Sequence, residues 1–388
     1  MIGLFNDSFP PIMDGVAMVT YNYAYYLQRK GAEVCVVVPN TPGEKKEEPF
    51  AIYRYPSIPI PGRRPYRYGL SMLNMKVFKE ISSQHYTIVH AHSPFTSGKI
   101  AQKIAQKQHI PLVATFHSKF RYDIERYVKS ELIVDLVLKQ IMSFFNTVDE
   151  VWVPQPAVLE TLREYGYEGP AKVIPNGNDM VDKYDEETLK RSFREKEHIP
   201  NKEAILLFVG QQTREKNIPF LIDSLTLVNH PFRCYFVGDG YGIELFKEQA
   251  AELGIGDKCH FVGPIYNREE LAAYYAAADL FVFPSLYDTW ALVIREAAAL
   301  STPSLLIEGS TIAKPIIPNI NGFITEEKNN EYAASIDRIL ANKELLNSVA
   351  AKARTTLSQS WEEVADLVLK RYQYLIEQYK SKDGSKHS

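Results

Sequence analysis

Cysteine is scarce: Cys35, Cys234 and Cys259 are the only three in 388 residues. They lie far apart, inside apolar stretches, without ligand spacing. That excludes a disulfide scaffold and a cysteine-built metal centre, and predicts buried thiols in a reducing compartment. A basic N-terminal segment leading into a long apolar run is also missing, and uninterrupted apolar runs fall far short of the ~20 residues of a spanning helix. The expectation is a protein neither secreted nor integral to a membrane, resident in the cytoplasm. No Asp-x-Asp or histidine cluster stands near a strand end, so neither a metal nor a resident cofactor is expected. No recognition module or aromatic platform accompanies the positive charge, which argues against nucleic acid as a partner.

What the chain does have is the composition of an ordinary globular protein, 45% hydrophobic and 23% charged, with a net charge of -3. Its length suits two units of roughly 150 to 200 residues each. The charge is uneven: residues 1 to 130 hold 17 Lys and Arg against 9 Asp and Glu, leaving 27 against 38 for the rest. Only the first third is prepared for an anionic surface.

Short β-branched runs alternate with helical patterns. Ile2 to Phe5, a helix from about Gly15 to Lys30, and Glu33 to Val38 form a β-α-β opening. Further strands are predicted at Ala51 to Tyr55, Tyr86 to Ala91, Pro111 to Phe116, Glu150 to Val153 and Ala171 to Ile174. Continuous apolar strands separated by helices imply a parallel sheet covered on both faces. Ile174-Pro175-Asn176-Gly177-Asn178 then punctuates the chain. A second series begins at Ala204 to Val209 and continues through Cys234 to Val237, Cys259 to Val262, Leu280 to Phe283, Ser304 to Ile307 and Gly322 to Ile324. The α/β class follows: two Rossmann-like, doubly wound domains, expected to face a central cleft where loops from both sheets meet one ligand.

Pro284 to Glu296 is the most informative stretch, because it reads as strand, loop and helix start. The amides of Trp290, Ala291 and Leu292 would be unpaired at the helix N-terminus and attract a phosphate. Asp288 before them and Glu296 a turn further in could accept hydrogen bonds from hydroxyls on either side. Taken alone, Asp288 could equally be a helix cap and Glu296 a solvated residue.

Asp288 and Glu296 occupy the two acidic positions of a Glu-x7-Glu motif, and the chain here resembles the retaining GT-B glycosyltransferases of the large family named for sucrose synthase and its relatives. Phe208-Val209-Gly210-Gln211-Gln212-Thr213-Arg214-Glu215-Lys216-Asn217 is similar to that family's Val-Gly-Arg-Leu-x-x-Glu-Lys-Asn. Val237-Gly238-Asp239-Gly240 and Ile174-Pro175-Asn176-Gly177 match two further motifs, and Ser360-Trp361-Glu362 opens a helix that in relatives returns to the first domain. The resemblance implies an acceptor-binding domain over 1–175 plus 361–388 and a donor-binding domain over 176–360. It also implies the roles. Lys216 would pair with the diphosphate, Glu296 with ribose hydroxyls and Asp288 with the transferred sugar. Gln211 stands where the family has arginine, which leaves Arg214 as the nearby cation. In the first domain, Pro10 to Val16 is similar to a loop in which Gly15 lets backbone approach the donor. His117, at the end of an apolar strand, corresponds to a histidine that contacts the sugar; His90 and His92 read as structural. The reaction implied is a retaining transfer of a hexose from a nucleotide-sugar, with UDP-sugar the expected donor, in which a donor phosphate oxygen takes the acceptor proton.

Residues 62 to 79 interleave Arg63, Arg64, Arg67, Lys76 and Lys79 with Tyr66, Tyr68, Leu70, Leu73, Val77 and Phe78 at helical spacing, the pattern of an interfacial helix. Lys99, Lys103 and Lys107 would line one helix face, and Lys119, Arg121, Arg126 and Lys129 follow His117. These patches suit an anionic membrane lipid surface, with each cation worth about 1 kcal/mol; the alternative is a solvated basic face over a buried stripe. The segments His90 to Phe95 and Thr115 to Lys119 look like those of bacterial diacylglycerol glucosyltransferases in the same family, which implies a lipid acceptor and peripheral attachment at the inner face of the cell membrane. Two rivals remain open: a soluble or polysaccharide acceptor, and a non-catalytic nucleotide-sugar-binding protein. A dinucleotide oxidoreductase fails because Gly238-Asp239-Gly240-Tyr241-Gly242 has Ile243 where the third glycine is required.

Overall fold

The apolar runs become strands, and those in the middle of each sheet are buried on both faces. The structure, a computed structural model, describes residues 1–12, 14–43, 47–61, 65–70, 75–117, 120–125, 128–181, 183–286, 288 and 292–384. The chain divides into two units, Met1–Asn176 with Trp361–Ser388, and Gly177–Ser360.

The first unit holds β1 (Ile2–Phe5), β2 (Val34–Pro39), β3 (Ala51–Tyr55), β4 (Ser57–Pro59), β5 (Arg67–Gly69), β6 (Ile88–Ala91), β7 (Leu112–Thr115), β8 (Glu150–Val153) and β9 (Ala171–Val173). Seven of these form a sheet in the order β3-β2-β1-β6-β7-β8-β9, parallel throughout, while β4 and β5 pair antiparallel as a separate hairpin. Every residue of β1, β2, β6, β7 and β8 is buried, the condition of a parallel sheet sheathed by helices. Asp14 starts the helix Gly15–Arg29 by accepting from the Ala17 amide at 2.7 Å, a cap worth about 1 kcal/mol.

The second unit carries β10 (Ala204–Val209), β11 (Phe232–Val237), β12 (Cys259–Gly263), β13 (Leu280–Phe283), β14 (Ser304–Ile307) and β15 (Phe323–Thr325). Their order is β12-β11-β10-β13-β14-β15, again all parallel. Both units are therefore doubly wound α/β sheets. Strand order reverses between β1 and β6 in the first and between β10 and β13 in the second.

The helix Trp361–Gly384 belongs to the first unit because of its own periodicity. Trp361, Val364, Ala365, Val368, Tyr372 and Leu375 recur at helical spacing and join a core cluster with Val19, Tyr23, Ala24 and Leu27 of the helix Gly15–Arg29. Arg29 pairs with Glu362 at 3.1 Å and Lys30 with Asp366 at 2.7 Å; these are half-exposed pairs of small value. A third contact goes deeper. Glu150 on β8, 3% exposed, accepts from Trp152 Nε1 at 2.7 Å and from Arg371 Nε at 2.9 Å, and pairs with Arg371 Nη2 through its second oxygen.

The expected interfacial helix over 62–79 is not one helix. Arg67 lies in β5, where its Nε donates to Ser57 Oγ at 2.7 Å and its Nη2 to the Ser57 carbonyl at 2.9 Å. At Gly69 a Cβ would sit 2.4 Å from the Tyr55 ring, so the hairpin approaches the sheet more closely than a helix could. The helix Met75–Ser83 follows, with Lys76 and Lys79 exposed. Its apolar stripe faces inward: Ile81 is fully buried, and Val77 and Phe78 pack on the same core. Period alone cannot tell a lipid-facing stripe from a core-facing one. Arg63, Arg64, Lys119 and Arg126 lie outside the described residues. No helix among the described residues is long and apolar enough to cross a membrane.

Removing Arg371 should leave Glu150 buried and uncompensated. Arg371→Ala is expected to cost about 3 kcal/mol of stability, read as a lowered urea midpoint. A midpoint equal to the parent protein's would show that the Glu150–Arg371 pair makes no net contribution to holding the C-terminal helix.

Candidate active site

In an open parallel sheet the loops at the carboxyl ends of the strands part where strand order reverses, leaving a crevice. In the second unit the loops after β10 and β13 flank that point. Lys216 closes the short turn Arg214–Lys216 after β10, and Asp288 follows β13. Lys216 Nζ donates to Asp288 Oδ1 at 2.5 Å, with both side chains more than four-fifths buried. Among the described residues Asp288 Oδ2 is buried without a hydrogen-bond partner, and so is Ser285 Oγ in the same loop. Native proteins leave few such atoms, so two in one loop ask for an explanation. A bound hydroxyl supplies one.

The backbone that carries Lys216 is fixed from two sides. Asn217 adopts a left-handed φ of 59° and donates through Nδ2 to Glu327 at 2.8 Å. Gln212, fully buried, donates from Nε2 to the Phe236 carbonyl at 3.1 Å. The loops after β10 and β11 touch so closely that a Cβ on Gly238 would lie 2.0 Å from the Gly210 carbonyl oxygen, and one on Gly240 would lie 2.3 Å from that of Gln212. The Val-Gly-Asp-Gly motif is thereby accounted for by backbone approach. Gln211 and Arg214 are exposed.

Glu296 lies in the second turn of the helix Leu292–Ala299. Its Oε1 accepts from Arg268 Nη2 and its Oε2 from the Tyr275 hydroxyl, both at 2.9 Å. Arg268 also holds Asp179, at 2.5 Å from Nη2. Burial and the nearby carboxylate of Glu296 push the Tyr275 hydroxyl well above its ordinary value. Each carboxylate oxygen has a second lone pair, so the clamp orients Glu296 without exhausting it. The sequence reading missed Arg268 and Tyr275. The Asn267 cap marks a helix start there, but nothing local says that its first arginine reaches Glu296. Leu292 is the first residue of its helix and partly exposed; Trp290 and Ala291 lie outside the described residues.

In the first unit the reversal point falls between β1 and β6, and Asp7 fills it. Its carboxylate accepts from Ser93 Oγ at 2.5 Å, the Ser97 amide at 3.1 Å, Ser97 Oγ at 2.9 Å and the Tyr55 hydroxyl at 3.2 Å. Burial raises its pKa despite those four donors. Gly15 is exposed, and a Cβ there would meet nothing within 4 Å. At the carboxyl ends of β6 and β7 stand three stacked imidazoles, His90 inside β6 and the other two after their strands, with ring centroids 4.2 Å apart for His90 and His92 and 5.3 Å for His92 and His117. His90 is tied to the Tyr372 hydroxyl at 2.5 Å and to Thr115 Oγ1 at 2.7 Å. His92 Nδ1 meets His117 Nε2 at 3.1 Å. Burial pushes His117 down to about 3 and the other two well below the usual range. His117 is the least enclosed of the three and is partly exposed.

The fold and these crevices define a GT-B protein. The family model described as Glycosyltransferase Family 4 matches residues 13–181, and that described as Glycosyl transferases group 1 matches residues 190–356. The alpha-monoglucosyldiacylglycerol synthase of Streptococcus pneumoniae is 29% identical over 78% of this chain and 70% of the relative. The enzyme of the same name from Acholeplasma laidlawii is 22% identical over 94% of each chain. Among solved structures, sucrose-phosphate synthase from Thermosynechococcus elongatus superposes with a TM-score of 0.72 at 22% identity, covering 97% of this chain and 99% of that one. Anabaena HepE in complex with UDP and glucose does so at 0.69 and 16%, covering 96% and 99%. The chain belongs to the GT-B glycosyltransferases that join a family 4 domain to a group 1 domain, and it is an enzyme.

The buried imidazoles set a pH dependence. His90 and His92 are neutral when folded and protonate on unfolding below about pH 6.5, so the stability they contribute is present above that value and lost as pH falls below it. Each costs about 1.4 kcal/mol per pH unit, or about 2 kcal/mol by pH 5. Asp7, whose pKa is raised, works in the opposite sense and is common to both proteins in a comparison. His92→Phe is expected to lose about 2 kcal/mol less than the parent between pH 7.5 and 5.0 in urea unfolding. Equal losses would mean that His92 titrates normally.

Proposed function

We propose that the protein is a retaining hexosyltransferase that moves a sugar from a UDP-sugar, UDP-glucose first among candidates, to a membrane lipid such as diacylglycerol. The observation that carries the donor half is the pair at the second sheet's reversal point: a cation held at 2.5 Å to a carboxylate whose other oxygen is buried and has no partner among the described residues. A nucleotide-sugar brings what these groups lack. The sugar's hydroxyl donates to Asp288 Oδ2, and the diphosphate draws on the remaining N–H donors of Lys216. Ribose hydroxyls meet the free lone pairs of Glu296. Gly15, Gln211, Arg214, Trp290, Ala291 and Leu292 are assigned to the donor's phosphates and base, and His117 to the transferred sugar.

In the transfer, the acceptor hydroxyl oxygen bonds to the anomeric carbon as that carbon's bond to the β-phosphate oxygen breaks. The acceptor proton passes to a phosphate oxygen, and Lys216 stabilises the departing diphosphate. Neither a metal nor a cofactor is invoked. HepE, described in complex with UDP and glucose, supports the choice of donor.

Two relatives named alpha-monoglucosyldiacylglycerol synthase support the lipid acceptor, and the surface of the first unit supplies a reason to sit on a bilayer. Leu132, Ile133 and Leu136, on the helix Glu131–Phe145, are 83%, 50% and 68% exposed. Exposed Lys129 and Lys139 flank them, and Lys99, Lys103 and Lys107 are exposed on the helix Thr96–Gln108. Asp135 on the helix Glu131–Phe145 is paired with Arg121, which lowers the repulsion from anionic headgroups. This ridge takes over the role expected of residues 62–79. Cytoplasmic residence with peripheral attachment follows from that reading.

Purified protein given UDP-glucose and mixed vesicles of diacylglycerol and phosphatidylglycerol is expected to release UDP and form a glycolipid, and Lys216→Ala should lower the rate about a hundredfold or more. Nucleotide binding without turnover on a panel of UDP- and GDP-sugars and acceptors would make it a binding protein instead. Leu132→Asp combined with Leu136→Asp should cut co-sedimentation with the vesicles at least about tenfold, and leave UDP affinity by calorimetry unchanged. Undiminished co-sedimentation would remove the ridge from the bilayer.

A further inference from the structure

After β6 and β7 two imidazoles meet nitrogen to nitrogen, His92 Nδ1 against His117 Nε2 at 3.1 Å. Burial keeps both rings neutral, so a single proton serves the contact: one ring donates and the other accepts. The far side of His92 decides which. Its Nε2 is buried and has no hydrogen-bond partner among the described residues. If His117 were the donor, the proton of His92 would have to sit on Nε2, as an orphaned N–H sealed from water. If His92 is the donor, Nε2 carries only a lone pair. Buried N–H groups without partners are rarer than under-used acceptors, and stranding one costs the full desolvation of a donor.

We infer that His92 is a positioning residue: it donates from Nδ1 to His117 Nε2, and so fixes the proton of His117 on Nδ1, the nitrogen left for substrate. The ring of His92 has little freedom to do otherwise. It stacks on His90 at 4.2 Å, the Tyr23 ring closes on it edgewise at 5.1 Å, and its own amide donates to the Phe5 carbonyl at 2.8 Å. His90 is clamped in turn by Tyr372 and Thr115. The stack therefore runs from the C-terminal helix to His117 as a set of rings with fixed orientation.

The consequence for substrate is a sign. A His117 with its proton on Nδ1 donates a hydrogen bond to a lone pair of a sugar hydroxyl oxygen; the other tautomer would ask that hydroxyl for its proton. This role rests on the reading that His117 contacts the transferred sugar, whereas the tautomer itself does not.

Long-range proton–nitrogen correlation spectra of the 15N-histidine-labelled full chain, without ligand, should show Nδ1–H for both His92 and His117. A His117 with its proton on Nε2 overturns the inference whatever the activity. With UDP-glucose and diacylglycerol vesicles, His92→Phe, which keeps a ring but no donor, is expected to lower kcat about tenfold while KM for the nucleotide-sugar stays within about threefold. His92→Asn, whose amide can place an N–H near the position of Nδ1, should recover most of that loss. Recovery supports a hydrogen-bonding role; an equally slow, folded His92→Asn means that the ring only fills space, and overturns it. A parental rate in His117→Ala, with the tautomers as inferred, would instead sink the placement of His117 at the sugar.

Discussion

A lysine and an aspartate drawn together between two strand ends constrain everything else in the second unit. Lys216 reaches Asp288 at 2.5 Å only because the backbone on either side of it is locked. Behind it, the loops after β10 and β11 touch at glycines that no side chain could replace, with a Cβ on Gly238 falling 2.0 Å from the Gly210 oxygen. Ahead of it, Asn217 turns left-handed and bonds to Glu327. An ion pair built only for stability would spend both carboxylate oxygens, because a half-satisfied buried carboxylate is a net cost. Here one oxygen has no partner among the described residues. The arrangement makes sense as a holder for something that arrives with its own hydroxyl.

Much of the fold was legible because parallel strands buried on both faces announce themselves as continuous apolar runs. Glu150–Val153, Ala204–Val209, Leu280–Phe283 and Ser304–Ile307 were read with their observed bounds. The hairpin of β4 and β5 was invisible. Its three-residue strands carry no period, and their pairing answers to Ser57 and to the close approach at Gly69. The helix Met75–Ser83 exposes the same difficulty in energetic terms. Val77, Phe78 and Ile81 form a stripe in sequence, but whether it faces lipid or core depends on what lies opposite, and opposite lies the first unit's core. Conversely, Leu132 and Leu136 sit in a run that reads as ordinary core sequence and are exposed.

The candidate sites divide in the same way. Residues whose chemistry is stated locally, such as Lys216, Asp288 and Glu296, could be named from a motif. Those that act through a distant partner could not. Arg268 and Tyr275 reach Glu296 across 28 and 21 residues, and His92 reaches His117 across 25. For Glu296 the missing information is which helices pack together, and for His117 it is strand adjacency; no spacing along the chain encodes either. His92 and His117 end neighbouring strands β6 and β7, so knowing the sheet order would have placed them side by side.

The two units handle charge in opposite ways, and the difference matches what each is proposed to hold. The second unit keeps ionised groups at its strand ends and pairs them, Lys216 with Asp288 and Arg268 with Glu296 and Asp179. A diphosphate can displace or complete such pairs with little change in the charge that must be buried. At the carboxyl ends of β6 and β7 the first unit removes charge instead, its buried pair of Glu150 with Arg371 lying at the start of β8. Its imidazoles are pressed together and held neutral by burial, and Asp7, at its own reversal point, is saturated with four donors. Neutral donors and acceptors in fixed orientation suit hydroxyl groups, which must be told apart by direction and not by charge. Its cations are kept out on the helix surface, where Lys99, Lys103 and Lys107 remain solvated. There they can meet an anionic bilayer without any cost of desolvation at the site where the sugar is handled.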